Sequence, residues 1–285
     1  MSTVLTVQSC WTLADTQRSH SLDCFSRGPS LIELSDELKV QLREAAGLIR
    51  SELADTPVPV EYTLKPIFQP RPNVNRGHYS RRMLPFAEAL AKVLASPARG
   101  PTYYISGLPL SRFPISLAKP VSLIASVLHT PPFESFLFIG GLNSGSFLHY
   151  DLTHNLMIGI EGEKEVHLID PRRANGIKPY SAVHQCRRYA ALPRNHDGLA
   201  RLPEGTKTLV ARVGPGQVLG IPAHWWHQVR NSDLAISVSL ALHRPWYDRL
   251  VWADLRCYIG DLANKSKLVA ENTIRKMQDY PKSSS

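Results

Sequence analysis

The residues best equipped for chemistry are two histidines and an aspartate. Ser146-Phe147-Leu148-His149-Tyr150-Asp151 reads as extended chain, and in a strand residues two apart point to the same face. His149 and Asp151 therefore aim an imidazole and a carboxylate at one point. A third donor is available in Ile221-Pro222-Ala223-His224-Trp225-Trp226-His227, which holds two more histidines. Two histidines and one carboxylate on one face of a metal leave its other positions open, as iron(II) requires when it must bind a 2-oxo acid and O₂ together. His149-Tyr150-Asp151 alone is a weak signal, because such tripeptides are common on surfaces.

The sequence that follows strengthens it. Asn155 leads into the strand-like run Leu156-Met157-Ile158-Gly159-Ile160, Gly162 turns the chain, and a second strand runs Lys164-Glu165-Val166-His167-Leu168. Lys164 shares parity with Val166 and Leu168, so if those two face the core the ammonium does too. An unpaired buried ammonium is costly, and an inward Lys164 therefore implies an anionic partner such as the distal carboxylate of 2-oxoglutarate. The alternative is a strand twist or bulge that turns Lys164 to solvent.

These residues need elements to hold them. Ser35-Asp36-Glu37 starts a helix, with a capping hydroxyl and two acids at the positive end of the dipole. Leu38, Leu42, Ala46, Ile49 and Leu53 continue it at helical spacing, and Pro57 and Pro59 stop it. A second helix begins near Pro85, a residue suited to a first turn, carries Phe86, Leu90, Val93 and Leu94, and ends before Pro97. From about residue 101 the texture becomes short apolar runs separated by Gly, Pro and Asn, the pattern of a barrel or sandwich. The stretch 172–212 interrupts it with basic, turn-rich sequence that includes Arg187, Arg188, Arg194 and Arg201, which predicts a lid or binding loop. After His243, Pro245 opens a helical C-terminal region in which Trp246, Leu250, Leu255 and Ile259 could pack on the barrel or on a second subunit. The expected division is a mixed helical flank over 1–100, a catalytic barrel over 101–243 and the C-terminal helices over 244–285.

Bulk properties suit a soluble enzyme. The chain has 285 residues, 43% apolar and 20% charged, a balance that argues against disorder. A core of this size stands without disulfides or structural metal, so a metal here would serve chemistry. The net charge of +9 reads either as solubility or as preference for an acidic partner. No run of about five like charges favours nucleic acid. The four cysteines, Cys10, Cys24, Cys186 and Cys257, are widely separated with no CxxC pair. With no leader-like N-terminus and no apolar run of roughly 18 residues, the expectation is a cytoplasmic protein with no membrane span.

The blocks Leu148 to Lys164 and Pro215-Gly216-Gln217-Val218-Leu219-Gly220-Ile221-Pro222 through His227 resemble the JmjC domain, a cupin-like double-stranded β-helix, over roughly residues 100–243. The resemblance implies a mainly β jelly-roll (cupin) barrel with flanking N-terminal and C-terminal helices. It implies that His149, Asp151 and His227 bind Fe(II), and that Lys164 pairs with the C5 carboxylate of 2-oxoglutarate. Ser146 falls where the family carries a Ser or Thr on that carboxylate, and Tyr104, in preference to Tyr103, falls near a tyrosine that does likewise. Asn155 matches a pocket asparagine, and Ser239 stands where several relatives carry asparagine. The implied activity is a dioxygenase that consumes 2-oxoglutarate and O₂, releases succinate and CO₂, and hydroxylates a C–H bond of a peptide, protein or amino-acid-like substrate. A small biosynthetic metabolite or a modified tRNA base is the alternative substrate.

Other residues compete for attention. His224, three before His227, would face the opposite side of an extended strand. His154 belongs at the rim, where it touches substrate or solvent. His167 and Tyr150 have outward parity, and Trp225 and Trp226 suit packing. Arg76, Arg81 and Arg82, with Arg187 and Arg188, either line a substrate entrance or are ordinary surface charge. Two other functional classes stand beside the oxygenase: a metal-binding cupin without oxygenase activity, and a non-catalytic interaction module. The former usually has a richer histidine set than is present here. A homodimer through the C-terminal helices is the expected assembly if there is one.

Overall fold

The computed structural model describes residues 4–6, 10–12, 28–63, 67–68, 79–97, 101–127, 132–181, 188–193 and 199–242. The expected C-terminal helices, Arg76, Arg187, Arg194 and three of the four cysteines lie outside the described residues.

Among the described residues fifteen strands make two sheets. They are β1 (Val4–Thr6), β2 (Cys10–Thr12), β3 (Ser30–Glu33), β4 (Pro57–Thr63), β5 (Ile67–Phe68), β6 (Tyr79–Pro85), β7 (Thr102–Pro109), β8 (Pro132–Gly140), β9 (Gly145–His149), β10 (His154–Glu161), β11 (Lys164–Ile169), β12 (Thr208–Val213), β13 (Gln217–Ile221), β14 (Trp226–Asn231) and β15 (Ala235–Leu242). The smaller sheet has the order β1-β12-β11-β14-β9-β5 and the larger β2-β3-β13-β10-β15-β8-β7-β4-β6. From β8 to β15 the chain changes sheet at every step except β11 to β12, which pair with each other, giving the quartets β12-β11-β14-β9 and β13-β10-β15-β8 with antiparallel pairing throughout each. Chain crossing back and forth between two facing antiparallel sheets is the jelly roll, or double-stranded β-helix. β12 starts at Thr208, inside the stretch read as an insertion.

The first hundred residues extend the barrel as well as packing on it. β2, β3, β4 and β6 all belong to the larger sheet. Pro57 and Pro59, read as helix breakers, lie in β4 beside edge strand β6. Helix α1 (Asp36–Glu52) starts as the sequence predicts: the Ser35 hydroxyl accepts from Leu38 N, and Leu38, Leu42, Ala46 and Ile49 are buried. Helix α2 (Phe86–Leu94) has Pro85 one position earlier than expected, as its N-cap. A third helix, α3 (Ile115–Val127), contains Pro120 and has no counterpart in the sequence reading. An internal proline removes a helical hydrogen bond, but Leu117, Val121 and Ile124 are each at most 1% exposed, and burial of about 1.5–3 kcal/mol per such side chain offsets the loss.

The apolar residues among those described form three clusters. The largest joins the outer face of the larger sheet to the helices through Ile49, Phe86, Leu117, Leu137 and Ile158. A second fills the space between the sheets with Val166, Leu168, Ala211, Leu219 and Ile221. The third lies under the insertion after β11 and holds Phe147, Leu148, Tyr150, Ile177, Ala190 and Trp226. Tyr150 thus points away from the cavity as its parity predicts, yet it is only 4% exposed because the insertion covers it. No helix among the described residues is long and apolar enough to cross a membrane.

Candidate metal centre and acid pocket

β9 and β14 bring the three candidate ligands together. His149 pairs with His227 across the two strands, and Asp151 follows directly after β9. One ligand atom from each of His149, Asp151 and His227 lies within 4.8 Å of the others, the one such group among the described residues. The imidazole rings sit 4.2 Å apart, and His227 Nε2 is 3.6 Å from Asp151 Oδ2. His224 is absent from this group. It adopts a φ of 65° in a turn where its amide donates to Asp151 O at 2.8 Å, and its ring lies near Tyr150 on the other face.

The protein fixes the tautomer of both histidines. His149 Nδ1 lies 2.8 Å from Phe147 O and His227 Nδ1 lies 3.0 Å from Trp225 O. A carbonyl only accepts, so each Nδ1 carries the proton and donates it. Each Nε2 lone pair is left for a metal, the usual outer arrangement of metal-binding histidine. Burial, followed by the neighbouring His227, lowers His149 to about 3, so its imidazole stays neutral. Burial works against the Asp151 carboxylate, but His149 and His227 when protonated, the Arg188 guanidinium at any pH and the Asn155 amide outweigh it and hold the acid below its ordinary value. Two imidazole Nε2 lone pairs and an ionised carboxylate are the donor set a divalent ion needs.

These side chains open into a cavity of about 390 Å³, within the range of small-molecule sites. Tyr104, Ser146, Asn155, Lys164 and Ser239 also line it. Lys164 is 2% exposed, with its Nζ 5.8 Å from the centre of the Tyr104 ring, and burial pushes its pKa down to about 7. No hydrogen bond or ion pair holds it among the described residues. Tyr104 is raised above its ordinary value by burial and then by Glu61, so it is a phenol able to donate. Its ring fits because Gly140 has no side chain: a Cβ there would run into Tyr104, Ser144 and Asn231.

Among the described residues the Ser146 hydroxyl and Asn155 Oδ1 are buried without a hydrogen-bond partner, and so is the Ser237 hydroxyl. The two orphaned hydroxyls beside an unpaired ammonium in one cavity fit an anionic ligand to which they can donate, since such groups otherwise carry a desolvation cost of about 1–3 kcal/mol each. Ser146 and His149 have opposite parity yet both line the cavity. The pairs His227–His149 and Val229–Ser146 show why: β9 spends three residues where β14 spends two, a β-bulge that re-aims Ser146 inward.

Sequence reasoning missed Ser237 and Tyr189 here and gave Arg188 another role, as a charge of the basic insertion or of a substrate entrance. Ser237 lies on β15 two residues from Ser239 and opposite Gly159; its parity with Ser239 was the available signal. Arg188 donates to Asp151 Oδ1 at 3.2 Å, and Tyr189 stacks on His149 with ring centres 5.0 Å apart. Neither contact has a local sequence signature. His154, expected at the rim, is 8% exposed; its Nδ1 accepts from Ala223 N at 3.1 Å and anchors the turn that leads to His227. His167 faces outward as expected and bonds Glu165 at 2.8 Å.

A jelly roll with a two-histidine, one-carboxylate group in its mouth defines a class of metal-binding barrel proteins, and sequence comparison gives the family. The cupin-like domain family model matches residues 32–250, and the chain belongs to that family, whose JmjC members were the expectation. The match begins well before residue 100, in keeping with the strands that the N-terminal region adds to the larger sheet. HSPB1-associated protein 1 of Bos taurus is 31% identical over 111 residues, covering 38% of this chain and 23% of that protein. Jumonji C domain-containing protein 5 of Drosophila melanogaster is 31% identical over 109 residues, or 36% of this chain and 26% of that protein. Lysine-specific demethylase 8 of Xenopus tropicalis is 28% identical over 104 residues, or 36% and 23%. The matched region thus spans about a quarter of the length of these relatives.

Proposed function

We propose that this protein is an iron(II)- and 2-oxoglutarate-dependent dioxygenase that hydroxylates a C–H bond of a peptide, protein or amino-acid-like substrate. The observation that carries the reading is the shared cavity: a two-histidine, one-aspartate group opens into the same space as a buried lysine unpaired among the described residues. A metal alone would not call for Lys164, and a monoanion would leave either the metal or the lysine unmatched. A molecule with an acid at each end satisfies both.

His149, Asp151 and His227 would hold iron(II), and with 2-oxoglutarate and O₂ bound it would supply the oxidising power for hydroxylation, with succinate and CO₂ as coproducts. Lys164 pairs with the distal carboxylate, and the Tyr104 phenol and the Ser146 hydroxyl donate to it. Asn155 holds Asp151 through its amide, 3.5 Å from Oδ2. The apolar walls Phe136, Phe138, Met157 and Val229 keep water from the charged groups and so strengthen their interactions.

The lining also bears on the substrate. Arg188 is engaged by Asp151, and Lys164 is reserved for the diacid, while Glu134 lines the exposed edge of the cavity. It favours a neutral or cationic side chain over the acidic one suggested by the net charge of +9. The named demethylases among the relatives make N-methyl oxidation the second reading.

The test is oxygen- and iron-dependent conversion of 2-oxoglutarate to succinate, with His149→Ala as control, followed by mass spectrometry of candidate peptides. A gained oxygen atom supports hydroxylation, and loss of a methyl group as formaldehyde supports demethylation. Succinate formation that persists in His149→Ala, or that never depends on iron, would contradict the proposal.

A further inference from the structure

The insertion between β11 and β12 is tied to the strand that carries the metal-binding residues. Tyr150 N donates to Arg188 O at 3.1 Å, and Ala190 N donates to Leu148 O at 2.9 Å. On its far side the same segment is held by Tyr180 N donating to Tyr189 O and Ala191 N donating to Lys178 O. The backbone between residues 188 and 191 thus lies as an extra rung beside the end of β9. From it, Arg188 reaches Asp151 and Tyr189 lies against the His149 ring.

The two oxygens of Asp151 consequently sit in different surroundings. Oδ2 faces His227 Nε2 at 3.6 Å and the Asn155 amide at 3.5 Å. Oδ1 accepts from the Arg188 guanidinium at 3.2 Å. Aspartate can bind a metal through one oxygen or through both. An oxygen already engaged by a guanidinium in a charge-assisted hydrogen bond is a poor second donor.

We propose that Arg188 is a positioning residue that restricts Asp151 to one metal-binding oxygen and keeps free a coordination position that a two-oxygen carboxylate would fill. The inference rests on the metal-centre reading above and adds a sign to it. A fixed positive charge beside the donor set opposes arrival of a divalent cation, and a carboxylate released from it gains a second donor oxygen. Removing the guanidinium therefore tightens metal binding and weakens binding of the diacid that needs the open position. A purely structural role for Arg188, holding the insertion in place, predicts that both weaken.

The experiment uses the full chain, cobalt(II) chloride as the metal probe under anaerobic conditions, and 2-oxoglutarate as the second ligand. In Arg188→Met, cobalt(II) binds about tenfold tighter and 2-oxoglutarate binds the cobalt-loaded protein about tenfold more weakly, the scale on which outer partners of metal ligands act. Arg188→Lys retains the charge and returns cobalt(II) affinity to within about twofold of wild type. Unchanged or weaker cobalt(II) binding in Arg188→Met overturns the proposal, as does an Arg188→Lys variant that behaves like Arg188→Met. The failure of the underlying reading looks different: the wild-type protein itself would bind no cobalt(II), or would bind it equally well after Asp151→Ala.

Discussion

The two ends of the cavity are built on opposite terms. At the metal end every donor is already held by the protein: His149 and His227 by backbone carbonyls, Asp151 by Arg188 and Asn155. At the acid end, among the described residues, Lys164 is buried without a counter-charge and the hydroxyls of Ser146 and Ser237 have no partner. The first arrangement is preorganised and carries little cost before the metal arrives. The second is a desolvated site whose cost is relieved only by its ligand. The same kinds of substitution should therefore have opposite stability effects at the two ends.

The largest effects belong to the metal end. Asp151→Ala or His149→Ala should abolish turnover and lower cobalt(II) affinity by more than about 100-fold, beyond what even outer partners of metal ligands command. Asp151→Ala should also destabilise the metal-free protein, because Arg188 loses its acceptor. Near-normal turnover in either variant, measured by succinate formation, would remove these residues from the centre. Next in size, Lys164→Met should raise the apparent dissociation constant for 2-oxoglutarate at least roughly 30-fold, since an unpaired partner of a desolvated ion pair loses about 2–5 kcal/mol. The same change should raise the melting temperature of the ligand-free protein, because it removes an unpaired buried ammonium. A lower melting temperature would show that Lys164 already has a partner and would erase the contrast between the two ends.

Titration probes that contrast without mutation. Lys164 has an ordinary value of 10.5 and is pushed down to about 7 by burial. Between those values the unfolded chain binds the proton that the folded, ligand-free chain does not, so stability rises as pH climbs from about 7 to 10.5. The desolvation penalty is fully present below pH 7. A bound diacid restores the charge, so above pH 7 its binding takes up a proton and its affinity falls, by up to about tenfold per pH unit. Calorimetry in buffers of different ionisation enthalpy reads this directly. Proton release, or no proton exchange at pH 8, would contradict it.

How much of this was legible in the sequence depends on whether a residue's position is set locally. His149, Asp151 and Lys164 were readable because strand alternation fixes their direction from neighbours one or two residues away. Helix α1 was readable from its cap and spacing. Ser146 came from resemblance alone, since the bulge in β9 reverses its parity and depends on β14, some eighty residues away. Arg188 was noted only as a charge near an entrance. Its contact with Asp151 exists because the insertion folds back on β9, a pairing with no local pattern. α3 was hidden by Pro120, and the strand character of Pro57–Thr63 by two prolines, because tertiary burial overrode a local penalty in both cases.

The smallest predicted effect separates two serines on one strand. Ser237 and Ser239 both face the cavity from β15, opposite Gly159 and Met157. Resemblance pointed to Ser239, where relatives carry asparagine. The structure distinguishes them: Ser237 is 1% exposed with an orphaned hydroxyl, whereas Ser239 is half-buried. A hydroxyl that gains its only partner when ligand binds contributes about 0.5–1.5 kcal/mol to that binding. Ser237→Ala should therefore weaken 2-oxoglutarate about two- to tenfold and leave the ligand-free protein no less stable, while Ser239→Ala should change affinity by less than about twofold. Isothermal titration of the cobalt-loaded variants measures both. The reverse order would move the diacid toward the mouth and away from Lys164, because Ser239 lies one row nearer to Asn155 than Ser237 does.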